Sequence, residues 1–474
     1  ALVWFSGERS PLRPGPLGRA RQARWWDLRA LHRHRGDGAR VRLGTARSSP
    51  LYLPEDEHLL VLGPTGSGKS SSIAIPAILE WPGAVIVTDP KGELLERTIA
   101  TRRERGAAAV FAPLMAPGDR WNPVAAISSS EDALRTAGFL MGKPPEREPF
   151  WHELALQLLH GLLVEAAFAG LTLPQLLALL QQVPAEEVAG EVLHPTARSL
   201  VQGALSGGDR TAMGVVATLV ARLGVFGTGQ VASCTSTSTF DPTAVANGGL
   251  ATLYCVVSPP DAPLLRGLLS ALLAACWRAV FAEPPKVPVL FVLDEFAQLT
   301  ALPELPSLVQ LGRTQGVRMI LLAQDLASIG SLYGSDTVTA LWANCRTKML
   351  LPGISEVDLL ERASRLAGAA TLHGGSGRRG DPLGPHSLIP PDEIRRLRAG
   401  RALVLRGSDH PAVIRQRPWF QDGRLRRHAT RPGGEWEPPR PAPGQPIVSP
   451  RLPSPRGPLV WSRSQVAVLP EKPG

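Results

Sequence analysis

Seven short apolar runs recur along the chain, and each ends at a small or polar residue. Continuous apolar runs of this length predict strands that are buried on both faces. Helix-like patterns follow several of them, which predicts an α/β fold with a mostly parallel central sheet. The seven runs are HLLVLG (58–63), GAVIVTD (83–89), AAAVFA (107–112), LATLYCVVS (250–258), VPVLFVLDE (287–295), VRMILLAQ (317–324) and TKMLLPG (347–353).

The pattern changes between residues 124 and 246, where Leu and Ala recur at helical spacing. Examples are FWHELALQLLHGLLVEAAFAG (150–170) and LPQLLALLQQ (173–182). A single crossover between parallel strands needs only about 30 residues. We therefore expect an inserted all-α domain, 124–246, within an α/β domain that is made of residues 51–123 and 247–430.

Composition adds that the two ends are basic. The 474 residues are 44% hydrophobic, enough for a large core, and four widely spaced cysteines indicate neither a zinc site nor a disulfide framework. Residues 1–50 carry eleven Arg against three acids, and residues 401–474 carry thirteen Lys or Arg against five. Such ends predict contacts with a membrane surface or nucleic acid, or simply soluble segments. Residues 431–474, rich in Pro, Gly, Arg and Ser, predict disorder.

Two apolar segments bear on membrane association. The stretch LLRGLLSALLAACWRAVFA (264–282) is interrupted by Arg266 and Arg278, which predicts a buried helix rather than a membrane span. The chain begins with ALVWF, followed at once by Arg-rich sequence. That order is typical of the cytoplasmic exit of a membrane helix, and equally of a boundary placed in a soluble protein.

The stretch GPTGSGKS (63–70) matches the phosphate-loop pattern G-x-x-x-x-G-K-[ST], with an apolar strand before it and a helix after it. Glycines let backbone N–H groups turn toward phosphates, Lys69 reaches the β- and γ-phosphates, and the Ser70 hydroxyl binds magnesium. The pattern predicts ATP and Mg²⁺ as cofactors. The predicted nucleotide-binding residues are Gly63, Pro64, Thr65, Gly66, Ser67, Gly68, Lys69, Ser70 and Ser71.

The stretch VPVLFVLDEFAQL (287–299) supplies an acidic pair at a strand end. Asp294 is predicted to hold magnesium together with Ser70, and Glu295 to orient the attacking water. An acidic pair alone also fits a solvated loop. Combined with the phosphate loop, it predicts ATP hydrolysis.

Two downstream residues complete the predicted catalytic set. Gln324 closes the strand VRMILLAQ and is placed to sense the γ-phosphate if sequential strands are neighbours. Arg313, on the connection before that strand, is a candidate arginine finger that acts on the nucleotide of a neighbouring subunit. Spacing alone fits a capping glutamine and a surface arginine equally well.

More than the two nucleotide motifs agree with one known family. The chain resembles the TraG/TraD coupling proteins of type IV secretion and conjugation from about Gly18 to Gln421, and TDPKGE (88–93) is more specific to that family than the phosphate loop. The segments that carry the resemblance are GRARQARWWDLRAL (18–31), GPTGSGKSSSIAIPAIL (63–79), VIVTDPKGELLERT (85–98), WNP (121–123), LDEFAQL (293–299) and LLAQDLASIGSLYG (321–334).

The resemblance implies a RecA-like nucleotide domain, a small all-α insertion and a homohexamer on the cytoplasmic face of the bacterial inner membrane. It implies an anchor of membrane helices before residue 1, which makes residues 1–50 a membrane-proximal segment. The implied activity is ATP hydrolysis that brings single- or double-stranded DNA, relaxases or secreted proteins to the components of a type IV secretion channel.

The family's catalytic positions match Lys69, Ser70, Asp294 and Glu295, and its finger and glutamine fall at Arg313 and Gln324. One position departs from the family, since Ala112 stands where an acid is usual, and no role transfers there.

Two other functions share these parts. A soluble DNA motor of the FtsK or helicase type has the same catalytic residues. A receptor that mainly docks proteins through residues 124–246, with weak ATPase activity, is the second alternative.

Overall fold

The computed structural model describes residues 12–13, 19–32, 39–115, 118–145, 149–227, 229–373 and 382–432. These residues form two compact units. One is an α/β unit of residues up to Phe111 and from Asp241 onward, and the other is a helical unit from Ala112 to Phe240. The predicted disordered tail lies outside the described part of the chain beyond residue 432, as do residues 1–11, 14–18 and 33–38 of the basic amino-terminal segment.

All the strands belong to the α/β unit, and they are numbered here in chain order. They are β1 (Leu12–Arg13), β2 (Arg42–Ala46), β3 (Ser49–Tyr52), β4 (Leu59–Leu62), β5 (Val85–Asp89), β6 (Ala108–Phe111), β7 (Thr252–Val256), β8 (Val289–Asp294), β9 (Val317–Ala323), β10 (Thr347–Leu350), β11 (Ala369–His373), β12 (Pro382–Ser387), β13 (Arg401–Arg406) and β14 (Ala412–Arg415).

Eleven of these strands form one sheet in the order β3-β2-β14-β13-β10-β4-β9-β8-β5-β7-β6. The strands from β10 to β6 run parallel. The register places Leu62 beside Ala323 and Asp294 beside Leu322. Strands β13, β14, β2 and β3 then pair antiparallel in turn, and β1, β11 and β12 form a small separate sheet.

The seven apolar runs all form strands of the parallel part, and residues such as Leu60, Val87 and Val292 are fully buried. The sequence did not indicate the antiparallel extension, whose strands are short and flanked by arginine. The hairpin of β2 and β3 belongs to the sheet because β2 pairs with β14. The predicted boundary at residue 50 therefore falls inside a strand.

Helices cover the sheet, and they include a long apolar one, Ala262–Ala282, twelve of whose residues are buried. By length and composition it is the one straight helix of the described residues that is able to cross a membrane, or one of up to three if bent helix pairs count as spans. The other helices of this unit are Trp25–Leu28, Arg29–His32, Ser70–Ala74, Ile75–Glu80, Glu93–Arg103, Ala244–Asn247, Phe296–Leu299, Leu305–Leu311, Gly312–Gln315, Leu326–Tyr333, Ser335–Asn344, Val357–Ala367, Pro391–Arg395, Trp419–Gln421 and Gly423–Ala429.

The helical unit runs from Ala112 to Phe240, so it begins and ends earlier than the predicted bounds of 124 and 246. That this unit is a separate domain stays a prediction. Its longest helix, Pro149–Ala169, packs closely on the helix Pro195–Leu205. A Cβ at Gly161 would lie only 2.9 Å from the Val201 side chain. Side-chain caps at Ser129 and Thr172 start two helices. The helices are Val124–Ala126, Ser130–Met141, Pro149–Ala169, Leu173–Gln182, Val188–Glu191, Pro195–Leu205, Asp209–Leu223, Gly224–Phe226 and Gly229–Thr235.

Candidate nucleotide-binding site

The predicted site residues meet at one edge of the sheet. Strands β4, β9, β8 and β5 are parallel neighbours, so their carboxyl ends lie side by side. The phosphate loop follows β4, Gln324 follows β9, and Asp294 and Asp89 are the last residues of β8 and β5. The two halves of the predicted site, the phosphate loop after β4 and the acidic pair at the end of β8, are thus separated by one strand, β9.

Glycine geometry shapes the phosphate loop. Gly66 and Gly68 have φ angles of +80° and +100°, which residues with a Cβ rarely adopt. Gly63 is needed for a close approach, because a Cβ there would lie 2.7 Å from the Cβ of Leu351. The following helix opens with one wide π turn, Ser70–Ala74. The loop therefore has the backbone that the motif predicts for wrapping phosphates.

Lys69 joins the two halves of the site. Its ammonium donates to the Gly63 carbonyl at 2.5 Å and lies 3.3 Å from Glu295 Oε1, and the side chain is buried. A buried ammonium needs such partners. Both partners are oxygen acceptors, and a phosphate oxygen could replace either of them.

Glu295 has an unusual backbone conformation. Its φ and ψ are +47° and +41°, in the left-handed region that a residue with a long side chain seldom occupies. Strain of this kind persists where the surrounding structure enforces it, and it clusters at functional sites. Here it turns the carboxylate toward Lys69 across the gap between the strand ends.

Asp294 is a buried carboxylate whose charge is poorly compensated. Burial, followed by the nearby carboxylates of Glu295 and Asp89, raises its pKa to about 7. Its Oδ1 atom is buried and has no hydrogen-bond partner among the described residues. A divalent cation would satisfy that oxygen and lower the pKa. The residues present therefore fit the predicted magnesium, with the Ser70 hydroxyl lining the same cleft.

Asp89, in the TDPKGE segment, has a different task. Its carboxylate accepts hydrogen bonds from the backbone N–H groups of Gly92 and Leu95, both at 2.8 Å, and from that of Lys91 at 3.2 Å. It thereby fixes the turn that starts the helix Glu93–Arg103. Burial raises its pKa to about 6 in spite of these donors. Asp89 shapes one wall of the site rather than facing the cleft.

The cleft itself has a volume of about 240 Å³ and opens to solvent. The sequence indicated most of its walls but not Pro90, Lys91 and Glu93, for which TDPKGE served only as a family signature. The residues of the phosphate loop line it together with the acidic residues Glu93, Asp294 and Glu295. The lining residues are Pro64, Thr65, Gly66, Gly68, Lys69, Ser70, Ser71, Pro90, Lys91, Glu93, Asp294 and Glu295.

The other predicted residues divide between the two edges of the sheet. Gln324 is half-buried at the end of β9, between the loop strand β4 and β8, as predicted for neighbouring strands. Gly63 at the start of the loop donates to the carbonyl of Ala323, next to it. Arg313 lies in the turn Gly312–Gln315 at the amino end of β9, the opposite edge, and its side chain lies outside what the structure describes.

Sequence reasoning also missed Gln416, which follows β14. The side-chain amide of Gln416 packs against Gly68 of the phosphate loop. A glutamine in a polar stretch carries no chemical signature, and only the pairing of the antiparallel strands brings it to the loop.

Comparisons with known proteins identify the family of this chain. Residues 32–435 match the family model described as type IV secretory system conjugative DNA transfer. A probable conjugal transfer protein TraG of Sinorhizobium fredii is 24% identical over 423 residues, which cover 80% of this chain and 65% of that protein. The chain thus spans somewhat less than two thirds of the length of this curated relative.

Solved structures show the same fold. The bacterial conjugative coupling protein TrwBdeltaN70 in its unbound form superposes with a TM-score of 0.69 at 20% identity, covering 86% of this chain and 94% of that one. The plasmid coupling protein TrwB in complex with ADP and Mg²⁺ superposes with a TM-score of 0.67 at 20% identity, covering 87% and 96%.

These matches confirm the predicted RecA-like α/β fold and the resemblance that TDPKGE and the nucleotide motifs carried. With the family model matching most of its length, the chain belongs to the type IV secretory system conjugative DNA transfer family, the group of coupling proteins that includes TraG.

Proposed function

We propose that this protein is an ATP-hydrolysing coupling protein that recruits DNA, as a relaxase-bound single strand, or protein substrates to a type IV secretion channel and drives their transfer. One observation carries the enzymatic part. The ion pair of Lys69 and Glu295 bridges the phosphate loop and the acidic strand end, beside a buried Asp294 oxygen that lacks a partner in the described structure. Family membership carries the transport part.

ATP and Mg²⁺ are the proposed substrate and metal. The structural neighbour TrwB is described as bound to ADP and Mg²⁺, and this chain has the same fold. The loop glycines, Lys69 and the open oxygen of Asp294 are consistent with the same pair of ligands here.

Each residue then has a defined task. Lys69 exchanges the Gly63 carbonyl and Glu295 for the β- and γ-phosphate oxygens, while the loop N–H groups hold the phosphates in place. Ser70 and Asp294 would hold magnesium, which neutralises charge that develops on the phosphate oxygens. Glu295, released from Lys69, orients a water and accepts its proton. Gln324 faces the γ-phosphate from the strand between the two halves.

Arg313 is proposed to act on a neighbouring subunit. Its turn precedes β9 and the protein's own phosphate loop lies beyond the other end of that strand. Seven residues of strand span about 20 Å, too far for an arginine to reach its own site. A ring of subunits, proposed as a homohexamer, would bring the turn to the next nucleotide.

The location proposed is the cytoplasmic face of the bacterial inner membrane. Family membership and the basic residues 1–50 support it. The helical unit, as an insertion into the motor, is the proposed place for contacts with substrate proteins.

Steady-state ATP turnover by assembled protein tests the enzymatic proposal. Lys69→Ala should abolish turnover, whereas Lys286→Ala, which removes an exposed lysine of the same unit, should leave it unchanged. Turnover that survives Lys69→Ala would refute the assignment.

A second comparison tests the finger. Arg313→Ala should lower turnover while ATP affinity is retained, because the side chain would stabilise only the transition state of a neighbour's nucleotide. Equal losses of affinity and turnover would argue against that role.

Single-stranded DNA distinguishes the coupling protein from a docking receptor. Addition of single-stranded DNA should raise turnover of the intact protein, in a salt-dependent manner, if the motor engages the DNA backbone. Turnover that ignores DNA but responds to a relaxase or a secreted protein would favour the receptor.

A further inference from the structure

The nucleotide edge of the sheet continues beyond the phosphate loop, on the side away from Asp294. Strand β14 runs parallel to β4, with β10 and β13 between them, so the carboxyl end of β14 lies at the same edge as the loop. Gln416 follows β14 and is 3% exposed. A Cβ on Gly68 would lie 3.4 Å from its Nε2. The segment that begins at Gln416 therefore packs directly on the loop.

The segment Gln416 to Asp422 is held at both ends. At its far end, Asp422 accepts a hydrogen bond from Arg42 Nη1 at 2.8 Å. The same guanidinium donates through Nη2 to Glu80, the last residue of the helix that follows the loop, also at 2.8 Å. The segment thus extends along that helix from its start to its end.

An aromatic pair lies in the middle of this segment. The turn Trp419–Gln421 packs beside the first turn of the loop helix, Ser70–Ala74. The Trp419 ring lies under the guanidinium of Arg97, 5.5 Å away, and its centroid is 5.6 Å from that of Phe420 at 82°. Phe420 is 49% exposed. One ring is therefore fixed, and it supports a second ring that is open to solvent.

The orientation of a bound triphosphate determines which part of it would meet this pair. In the proposed site Lys69 binds the terminal phosphates, with Asp294 and Glu295 beside them at the end of β8, so the γ end points toward β8. The α-phosphate and the nucleoside then continue past Gly68 and the first turn of the loop helix, which are the parts of the site on which the segment Gln416 to Asp422 packs. Every nucleobase has a π face, and stacking on an aromatic ring is a common way to bind one.

We propose that Phe420 forms the base-binding side of the nucleotide site. Its ring stacks on the purine of the nucleoside triphosphate, while Trp419 and Gln416 hold it against the first turn of the loop helix. This proposal rests on the proposed function, since it assumes that the loop binds a triphosphate. It adds a contact that neither nucleotide motif contains and that distinguishes a nucleotide from its phosphates alone.

Equilibrium titration of the intact protein with ATP and with inorganic tripolyphosphate, each with Mg²⁺, tests the proposal. Phe420→Ala should weaken ATP binding roughly 5- to 100-fold, the range expected for a lost base stack. Tripolyphosphate binding should be unchanged, because tripolyphosphate has no base. Phe420→Tyr should retain ATP affinity, since it keeps the aromatic face.

The chain offers a matched control in the helical unit. Phe150 is 59% exposed and also pairs edge-on with a tryptophan, Trp151, at 5.4 Å and 75°. Phe150→Ala should leave both affinities unchanged.

Two results would overturn the proposal while leaving the phosphate site intact. One is an ATP affinity of the Phe420→Ala protein equal to that of the unmodified protein, and the other is an equal loss of ATP and tripolyphosphate affinity. Failure of the unmodified protein to bind either ligand would instead refute the proposed function, and the base contact with it.

Discussion

The two edges of the parallel sheet both bury charge, but they treat it differently. At the amino edge, the carboxylate of Glu57 is completely buried and accepts hydrogen bonds from Arg406 at 2.6 and 2.9 Å and from the hydroxyl of Thr347, with Arg346 at 3.4 Å. At the carboxyl edge, the buried Oδ1 of Asp294 has no partner in the described part of the protein.

The backbone shows the same contrast. Glu295, at the carboxyl edge, is one of three described residues other than glycine with a positive φ. Strain and an uncompensated oxygen both cost free energy, of order 1–3 kcal/mol each. A protein retains such costs where a ligand or a reaction needs them, whereas the saturated Glu57 cluster has the character of a structural ion pair.

Cavity size would have pointed to the wrong edge. The cavity beside Glu57 has a volume of about 440 Å³, whereas the cleft at the phosphate loop has about 240 Å³. Its walls include Asp56, Arg346 and Trp342, whose ring packs against Lys348. The hydrogen bonding of the polar atoms, rather than cavity volume, identifies the carboxyl edge as the candidate ligand site.

The largest expected effect is on the chemistry of the carboxyl edge. Glu295→Gln keeps the size of the side chain but cannot accept a proton, so ATP turnover should fall about 10²- to 10⁴-fold while ATP affinity is retained. Turnover and equilibrium binding of the same preparation would show this. Glu283→Gln, an exposed change beside the helix Ala262–Ala282, is the control. A parallel loss of affinity would mean that Glu295 mainly positions Lys69.

The next largest effect is on the stability of the amino edge. Glu57→Gln leaves the guanidinium of Arg406 without its buried carboxylate, and breaking a buried pair in this way costs about 3–5 kcal/mol. The melting temperature of the α/β unit should fall, while the ATP affinity of the protein that remains folded stays the same.

A partner of the same arginine provides the control. Asp409 also pairs with Arg406 but is 37% exposed, so Asp409→Asn should cost less than about 1 kcal/mol. A small effect of Glu57→Gln would show that the amino edge tolerates the loss of its carboxylate as well as an exposed ion pair does.

A third prediction concerns Asp294, where activity and stability should move in opposite directions. Its pKa of about 7 lies above the ordinary 3.8, so the protonated form is favoured by the fold. The stability that this preference contributes is present below pH 4 and lost as the pH rises through 7. At pH 8, Asp294→Asn should therefore raise the free energy of unfolding of the nucleotide-free protein by at most about 4 kcal/mol, which thermal unfolding would show as a higher melting temperature.

The pH dependence makes this prediction specific. At pH 5 the two proteins should differ much less. The Asp294 carboxyl of the unmodified protein is then mostly protonated, and it is as uncharged as the Asn side chain of the variant. The variant should also lose the gain in melting temperature that Mg²⁺ and ATP give the unmodified protein. A lower melting temperature of the variant at pH 8 would show that the carboxylate is already compensated.

The sequence predicted the carboxyl edge better than the rest, for a physical reason. Parallel strands buried on both faces leave continuous apolar runs, as in VPVLFVLDE (287–295), and the loop glycines are required by backbone geometry. Strand β14 left no such signal, and Gln416 is brought to Gly68 only through pairing across β10 and β13. The position of Lys69 against Glu295 depends on strand order, which no local pattern contains.

The smallest expected effect compares two buried hydroxyl groups. Ser72 Oγ, near Gly68, is buried and has no partner within the described residues, whereas the Thr347 hydroxyl donates to Glu57. Removing a hydroxyl that makes no hydrogen bond is nearly neutral, so Ser72→Ala should change the free energy of unfolding by less than about 0.5 kcal/mol. Thr347→Val should cost about 1.5–3 kcal/mol, because its acceptor is charged. Thermal unfolding of both variants without nucleotide measures the difference, and equal costs would mean that Ser72 already has a partner, which would remove one of the open groups that set the carboxyl edge apart.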